Sequence, residues 1–483
     1  ETDHGSNVKG LETTLTYDAT DKTITVNTPH MNAGKEYIGN ALHSTHAVVF
    51  GQLLVNGEEH GIHAVIVRIR NDRHELMKGV RVEDNGYKMG LNGIDNGKIW
   101  FDNVSVSSEA LLDRYGTIED NQYKSPIEGD DRRFFTMLSA LVAGRVSVAW
   151  AGVSAAKKAL TIATRYALRR RQFEAVPGEE ESLLLDYPSH QRRLLPLIAR
   201  AYAYDAAMKE LTAEYAGSLD KEDRREVESR AAGLKAMTSW NATRTIQECR
   251  EACGGKGYLA ENQFADLKAD TDIFTTFEGD NVVLLQLVAK GLLSDMRKQF
   301  HDEGFITVLR YLAKNITIRL TDMNPVNTRR TDASHLLDPD LYIEAFRYRE
   351  YKLLNSVAQR MRNYIGKGLH PSEAFLRCQN HLITLAKAHV DKLVLKSFYK
   401  FYTNINEGQL RDLMKQVYQI YALSTIEEHK GWYLESEYMQ PSKTKAIRRM
   451  VTKLCSQLRD RAETLVSGFG IPEELVAAPI ARN

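Results

Sequence analysis

The sequence has almost no net charge and no long apolar run. Its 483 residues include 64 basic and 63 acidic side chains, and the resulting net charge of +1 provides no overall field for nucleic acid or an anionic membrane. No window approaches about 18 uninterrupted apolar residues and the N-terminal stretch is polar, so neither a membrane span nor a signal peptide is expected. An anionic ligand must therefore be bound by local groups.

Cysteine is also scarce. Cys249 and Cys253 are one helical turn apart, while Cys378 and Cys455 are distant from them and from each other. This spacing is typical of neither a disulfide framework nor a zinc site, so it predicts a reducing compartment and no bound metal. The closing tripeptide "ARN" is not the usual peroxisomal signal, which favours a bacterial cytoplasm over a peroxisome.

The length predicts two or three domains. Residues 1–115 have strand-like alternation, as in "HAVVFGQLLV" and "GIHAVIVRIR" on either side of "NGEEH". We expect an antiparallel, β-barrel-like domain there. The whole chain is then an α+β multidomain protein.

The remainder of the chain has helical periodicity. Residues 130–300 predict a four-helix bundle whose first long helix lies in "RRFFTMLSALVAGRVSVAWAGVSAAKKALTIATRYALRRRQF" and whose others lie near 192–217, 222–253 and 281–297. Residues 305–483 predict a second helical domain, with amphipathic segments around Leu309 and at 342–365, 371–403 and 408–427.

The stretch "TDIFTTFEGDNVVLLQ" places a single carboxylate, Glu278, between an apolar run and the start of a helix. Thr275 and Glu278 fit a capping box, which would make the carboxylate structural. Asp280 or Asn281 is a better N-cap, and Glu278 then lies just outside the helix, near free backbone N–H groups. A carboxylate base beside such donors suits proton abstraction next to a carbonyl.

Two further motifs leave alternatives open. The glycines in "GGKG", Gly254, Gly255 and Gly257, either end a helix or let a cofactor approach the backbone, and they follow no strand as a dinucleotide fingerprint would. The arginines at 169–171 form either a solvated helix end or a diphosphate clamp.

Four ordered motifs carry a family resemblance: "ETDHGSNVKGLETT", "AGRVSVAWAGVSAAKKALTIATRYALRRRQF", "ECREACGGKGY" and "TTFEGDN". In this order they resemble the acyl-CoA oxidases, within the wider acyl-CoA dehydrogenase superfamily. The match extends from Glu1 to about Arg297, and the helical tail with "LVSGFGIPEELV" resembles the additional C-terminal domain of the oxidases. By this resemblance the chain begins inside a loop and lacks most of the family's N-terminal helical domain.

The resemblance implies a bound FAD, a fatty acyl-CoA substrate and a homodimer. Glu278 matches the family's catalytic base, whose backbone N–H would hold the thioester oxygen together with a flavin hydroxyl. The cofactor-binding matches are Arg170, which reaches the FAD of the neighbouring subunit, Gln191, Gly254, Gly255 and Gly39. The substrate-binding matches are Arg145, near the CoA moiety, and Ser6.

Three functions follow. An acyl-CoA oxidase would form trans-2-enoyl-CoA in fatty acid β-oxidation and pass electrons to oxygen, giving hydrogen peroxide. An acyl-CoA dehydrogenase would pass them to an electron transfer flavoprotein. A helical interaction scaffold with a vestigial site is the non-enzymatic alternative. The long C-terminal region favours the oxidase.

Overall fold

The computed structural model describes residues 1–138, 141–218, 224–299 and 328–482. The chain divides into two units, Glu1–Val142 and Ala143–Asn483. The predicted boundaries at 1–115, 130–300 and 305–483 stay predictions, and residues 305–327 lie outside the described part of the chain.

The first unit is built mainly of short strands. They are β1 (Thr14–Asp18), β2 (Thr23–Asn27), β3 (Lys35–Gly39), β4 (His46–Val55), β5 (Glu58–Arg68), β6 (Val80–Asp84), β7 (Asn96–Phe101), β8 (Val104–Ser107), β9 (Thr117–Glu119) and β10 (Gln122–Lys124), followed by helix α1 (Asp130–Leu138). The turn between β4 and β5 has Asn56 and Gly57 at φ 54° and 82°, the positive values that suit a tight hairpin.

These strands form sheets of order β5-β4-β1-β2-β8 and β3-β7-β6, with β9 and β10 as a separate hairpin. The pair β1–β4 is parallel, so the first sheet is mixed rather than purely antiparallel. Buried and exposed side chains alternate along these strands, and the inward-facing ones, such as Leu15, Ile24 and Val65, are fully buried in one apolar core. The α+β class is confirmed, but the described strands form open sheets and do not close the expected barrel.

The second unit is helical. Its long helices are α2 (Leu141–Ala167), which begins at the edge of the first unit, α3 (Pro188–Ala216), α4 (Arg225–Ala252) and α6 (Asn281–Gln299), with the shorter α5 (Phe264–Asp272) before α6. The predicted first helix ends early, at Ala167, and after a short connection Arg171 begins strand β11 (Arg171–Glu174), which pairs with β12 (Glu181–Leu183). Phe173 has a φ of 60°, which a right-handed helix cannot contain.

The C-terminal region adds further helices, and the predicted segment around Leu309 lies outside the described residues. They are α7 (Ala333–Leu336), α8 (Pro339–Gly366), α9 (Pro371–Arg377), α10 (Gln379–Thr403), α11 (Gly408–Glu428), α12 (Lys430–Glu435), α13 (Pro441–Leu458) and α14 (Ala462–Ser467). The predicted segment 371–403 is thus two helices, α9 and α10. Among the described helices, none combines the length and apolar character needed to cross a membrane.

A shared apolar core fixes the position of α6. Leu284, Leu285 and Val288 of α6 pack with the small side chains of Ala232 and Ala236 on α4, and with leucines of α10. Alanine permits α4 and α6 to approach closely. The turn that precedes α6 is therefore held beside α4.

Candidate active site

Glu278 lies in the turn between a short 3₁₀ segment, Ile273–Thr275, and α6. Asp280 caps α6, because its Oδ1 accepts from the backbone N–H groups of Val282 at 2.9 Å and Val283 at 3.3 Å. Thr275 donates to the carbonyl of Asp272 instead. The capping box is absent at this position, and the prediction that Glu278 lies just outside the helix is confirmed.

The backbone of this turn has an unfavourable conformation. Glu278 has a φ of 55° and Gly279 a φ of 101°. The left-handed region costs a residue with a side chain about 1–2 kcal/mol and persists only where surrounding contacts maintain it. Such a contact comes from Arg145, whose Nε donates to the Glu278 carbonyl at 3.3 Å.

The carboxyl group of Glu278 is partly buried. Its Oε2 is buried and has no hydrogen-bond partner among the residues that the structure describes. The carboxyl group lies against α2 at Gly144, where a Cβ would come within 2.6 Å of Oε2. Arg145 and Lys235 are close enough to interact electrostatically with the carboxylate. Glu278 thus combines an unpaired, partly desolvated oxygen with two nearby cations.

The three consecutive arginines after α2 have different surroundings. Arg169 donates to the carbonyl of Ile480 at 2.7 Å, and Arg171 donates to the carbonyl of Glu181 at 2.6 Å. Arg170 is exposed, and its side chain makes no hydrogen bond or ion pair within the described ranges. Of the three guanidinium groups, that of Arg170 is the one left available for a ligand.

The glycines after α4 have separate roles. A Cβ on Gly257 would overlap the carbonyl oxygen of Arg250, so this glycine is required by packing. Gly254 has a φ of 55°, whereas Gly255 has an ordinary φ, and a Cβ on either would meet no atom of the described residues within 4 Å. Neither the turn nor packing requires glycine at 255, which fits a backbone surface that a flat ligand approaches.

Gln191 lies near the start of α3 and Tyr166 near the end of α2. Gln191 is buried in α3, its Nε2 donates to the carbonyl of Leu185 at 3.0 Å, and its Oε1 has no partner in the described part of the chain. Burial raises the pKa of Tyr166, which also interacts with Arg170 and Cys253. The end of α2 therefore lies beside the end of α4, next to Gly254.

Ser6 and Gly39 belong to the first unit. Ser6 is exposed in a loop between two 3₁₀ segments, and Gly39 is exposed at the end of β3, opposite Asn96. The ligand contacts predicted for them stay predictions, as does the contact of Arg145 with CoA.

Family models match most of the chain. "Acyl-CoA dehydrogenase, middle domain" matches residues 1–104, "Acyl-CoA oxidase, C-alpha1 domain" residues 138–293 and "Acyl-CoA oxidase" residues 338–483. Acyl-coenzyme A oxidase 2, peroxisomal, of Arabidopsis thaliana is 38% identical over 100% of this chain and 71% of its own length. The chain belongs to the acyl-CoA oxidase family.

Other oxidases show the same relationship. Peroxisomal acyl-coenzyme A oxidase 3 of Homo sapiens is 35% identical over 100% of this chain and 71% of its own. The crystal structure of acyl-CoA oxidase 3 from Yarrowia lipolytica superposes with a TM-score of 0.88 at 31% identity, covering 100% of this chain and 70% of the other. The enzyme interpretation is confirmed, and oxidase activity is favoured over the dehydrogenase because both helical regions match acyl-CoA oxidase models.

A more distant structure concerns the cofactor. Acyl-CoA oxidase-1 of Caenorhabditis elegans, 24% identical with a TM-score of 0.87 and covering 100% of this chain and 71% of its own, is described as a complex with FAD and ATP. At this identity the likeness shows the fold alone, so FAD binding by the present chain stays a proposal.

The predicted bacterial cytoplasmic location is wrong. The matched oxidases of Arabidopsis and human are named as peroxisomal. The error came from giving weight to the final tripeptide, a short local signal that says less than relatedness over the whole chain.

Two residues of the site escaped the sequence analysis. Lys235 is fully buried on α4 beside the Glu278 turn, and Gly144 lies against the Glu278 carboxyl group. A signal for Lys235 was present, since it interrupts a run of small and apolar residues in "AAGLKAMTS". Gly144 could not have been distinguished from Gly152, the other glycine of the first long helix, because its importance depends on a residue 134 positions away.

Proposed function

We propose that this chain carries out the α,β-dehydrogenation of fatty acyl-CoA to trans-2-enoyl-CoA in fatty acid β-oxidation, with FAD as cofactor, oxygen as acceptor and the peroxisome as location. The observation that carries the proposal is the buried, unpaired Oε2 of Glu278 in a turn held at a positive φ. A lone carboxylate oxygen in this environment has no evident structural role.

Glu278 would act on the α-carbon of the substrate. Its Oε2, which has no hydrogen-bond partner among the described residues, would take the α-proton. The backbone N–H of the same residue has no acceptor within the described residues and would donate to the thioester oxygen as negative charge develops there. Both groups lie on one residue, so the turn that fixes one also fixes the other.

Several residues fit an FAD. The exposed guanidinium of Arg170 suits a diphosphate, the open backbone at Gly254 and Gly255 suits close approach, and the free Oε1 of Gln191 suits a donor on the cofactor. A bound flavin would supply the redox chemistry at this site, with the β-hydrogen leaving as hydride and oxygen as the final acceptor, reduced to hydrogen peroxide. Arg170 would reach the FAD of a second subunit, so we propose a homodimer.

Arg170 provides a direct test of the FAD site. We expect Arg170→Ala to weaken FAD binding roughly tenfold or more, because a charge-assisted hydrogen bond to phosphate is lost. The matched control is Arg171→Ala, since Arg171 pairs within β11–β12, with Glu180 and the carbonyl of Glu181. Equilibrium dialysis measures both affinities. Equal effects of the two substitutions would show that Arg170 has no special part in binding.

The function itself is tested by flavin absorbance. The FAD-loaded protein is mixed anaerobically with saturated acyl-CoAs of several chain lengths and then exposed to air. We expect bleaching followed by rapid recovery of colour, with one hydrogen peroxide formed per flavin. Bleaching that persists in air would identify a dehydrogenase, and no bleaching with any acyl-CoA would contradict the role of Glu278.

A further inference from the structure

Lys235 makes its contacts with the turn that carries Glu278. Its side chain is 0% exposed on α4, and its Nζ donates to the carbonyl of Gly279 at 2.7 Å and to Asn281 Oδ1 at 3.1 Å. A lysine is almost never fully buried unless its charge is partnered. Here the partners are a backbone carbonyl and an amide oxygen at the start of α6.

Asn281 extends this connection to α4. Its Nδ2 donates to the carbonyl of Ala236 at 3.2 Å and to Ser239 Oγ at 2.9 Å. Since its Oδ1 accepts from Lys235, the whole side chain of Asn281 is bound to one face of α4. The first residue of α6 therefore cannot move relative to α4 without breaking several buried hydrogen bonds.

Two cations bind consecutive carbonyl groups of the turn. Arg145, from α2, binds the carbonyl of Glu278, and Lys235, from α4, binds that of Gly279. Glu278 and Gly279 are also the two residues of this turn that have positive φ angles. Because a left-handed Glu is unfavourable by itself, the contacts to these carbonyls maintain the conformation.

We propose that Lys235 is a positioning residue for Glu278: by binding Gly279 O and Asn281 Oδ1 it keeps the turn in the form that presents the Glu278 carboxylate and N–H to the substrate. This inference rests on the proposed function. Lys235 does not touch the reacting atoms and acts through the backbone.

The electrostatic surroundings agree with this role. Burial lowers the pKa of Lys235 to about 8, while Asp280 and Glu278 favour its charged form and Arg145 opposes it. At neutral pH the Lys235 amine is therefore mostly protonated, and its hydrogen bonds to the turn are charge-assisted. Burying a lysine costs desolvation free energy, and the hydrogen bonds of Lys235 to the Glu278 turn offset that cost.

The chain offers a matched control for a buried lysine. Lys443 on α13 is 2% exposed, burial lowers its pKa to about 8, and its Nζ lies 2.9 Å from His335 Nε2, in the C-terminal region. Lys235→Met and Lys443→Met therefore remove lysines of similar burial, and only the first one contacts the active-site turn.

The experiment has two readouts on the FAD-loaded protein. Hydrogen–deuterium exchange measures opening of the peptide that spans the turn, and stopped-flow absorbance measures anaerobic flavin bleaching by acyl-CoA. For Lys235→Met we expect faster exchange at 277–281 and a bleaching rate constant lowered roughly tenfold or more, since a small displacement of a catalytic group has a large effect on rate. The acyl-CoA concentration for half-maximal rate should change less than about threefold, because binding contacts elsewhere are intact.

The outcomes separate the inference from the function. Unchanged exchange at the turn, an unchanged bleaching rate, or equal rate losses in Lys235→Met and Lys443→Met would each overturn the positioning role. If exchange at the turn rises only in Lys235→Met but no acyl-CoA bleaches the flavin of the unmodified protein, the structural connection stands and the proposed function fails.

Discussion

Replacing Glu278 by glutamine is expected to slow flavin bleaching by acyl-CoA roughly 10²–10⁴-fold, the range that a positioned general base contributes. Glutamine keeps the size of the side chain, but its neutral amide cannot act as a base toward the α-proton. The backbone N–H is retained, so substrate affinity should change little. Stopped-flow absorbance under anaerobic conditions gives the rate constant and the affinity in one series.

The control for this prediction is Glu261→Gln, which neutralises an exposed carboxylate in the same unit. Its bleaching rate should equal that of the unmodified protein. The melting temperatures of the two variants should also be similar, because Glu and Gln side chains give the same steric strain at the φ of 55° found at position 278. A Glu278→Gln enzyme that bleaches within about tenfold of the unmodified rate would exclude Glu278 as the base.

The sequence predicts the elements of this molecule better than their connections. Periodicity located three of the long helices, α3, α4 and α6, to within a few residues, as with α3 (expected near 192–217, observed Pro188–Ala216). Local capping rules also narrowed the N-cap of α6 to Asp280 or Asn281, and the structure shows that it is Asp280. These features depend on residues close together in the chain, where propensity and pattern carry information.

The features that escaped prediction depend on contacts between distant segments. The positive φ of Glu278 has no local signal, because it is maintained by Arg145, 133 positions away. The openness of the described sheets could not be predicted for a related reason: alternation in each strand does not determine whether the outer strands of a sheet meet.

The C-terminal segment makes another contact that the sequence could not predict, at the proposed cofactor site. Arg169 binds the carbonyl of Ile480, whose N–H donates to Asn262 Oδ1 at 3.3 Å. Asn262 in turn donates to the carbonyl of Lys256 at 2.8 Å, inside the glycine-rich loop. The C-terminal residues thus connect the end of α2 with the loop that we propose contacts FAD, and neither segment alone indicates this connection.

Gly144→Ala is expected to separate catalysis from stability. A Cβ at this position would lie 2.6 Å from Oε2 and 2.7 Å from Cδ of Glu278, so the carboxyl group must move away. The end of a flexible side chain moves easily, and alanine is the better helix former by up to about 1 kcal/mol, so the melting temperature should be unchanged or higher. Flavin bleaching should nevertheless fall roughly 10²-fold, because the base is displaced from the α-carbon.

Gly291→Ala is the matched control for this substitution. Gly291 is also within a helix, α6, and a Cβ there would lie 3.7 Å from Ser229 Oγ, an ordinary contact. The Gly291→Ala variant should gain similar stability, because alanine is the better helix former, and its flavin should bleach at the rate of the unmodified protein. If both variants bleach normally, the Glu278 carboxyl group tolerates displacement and does not work from the position seen here. If Gly144→Ala alone is slow while its melting temperature is retained, the gap left by the missing side chain at Gly144 is what allows the base to reach its substrate.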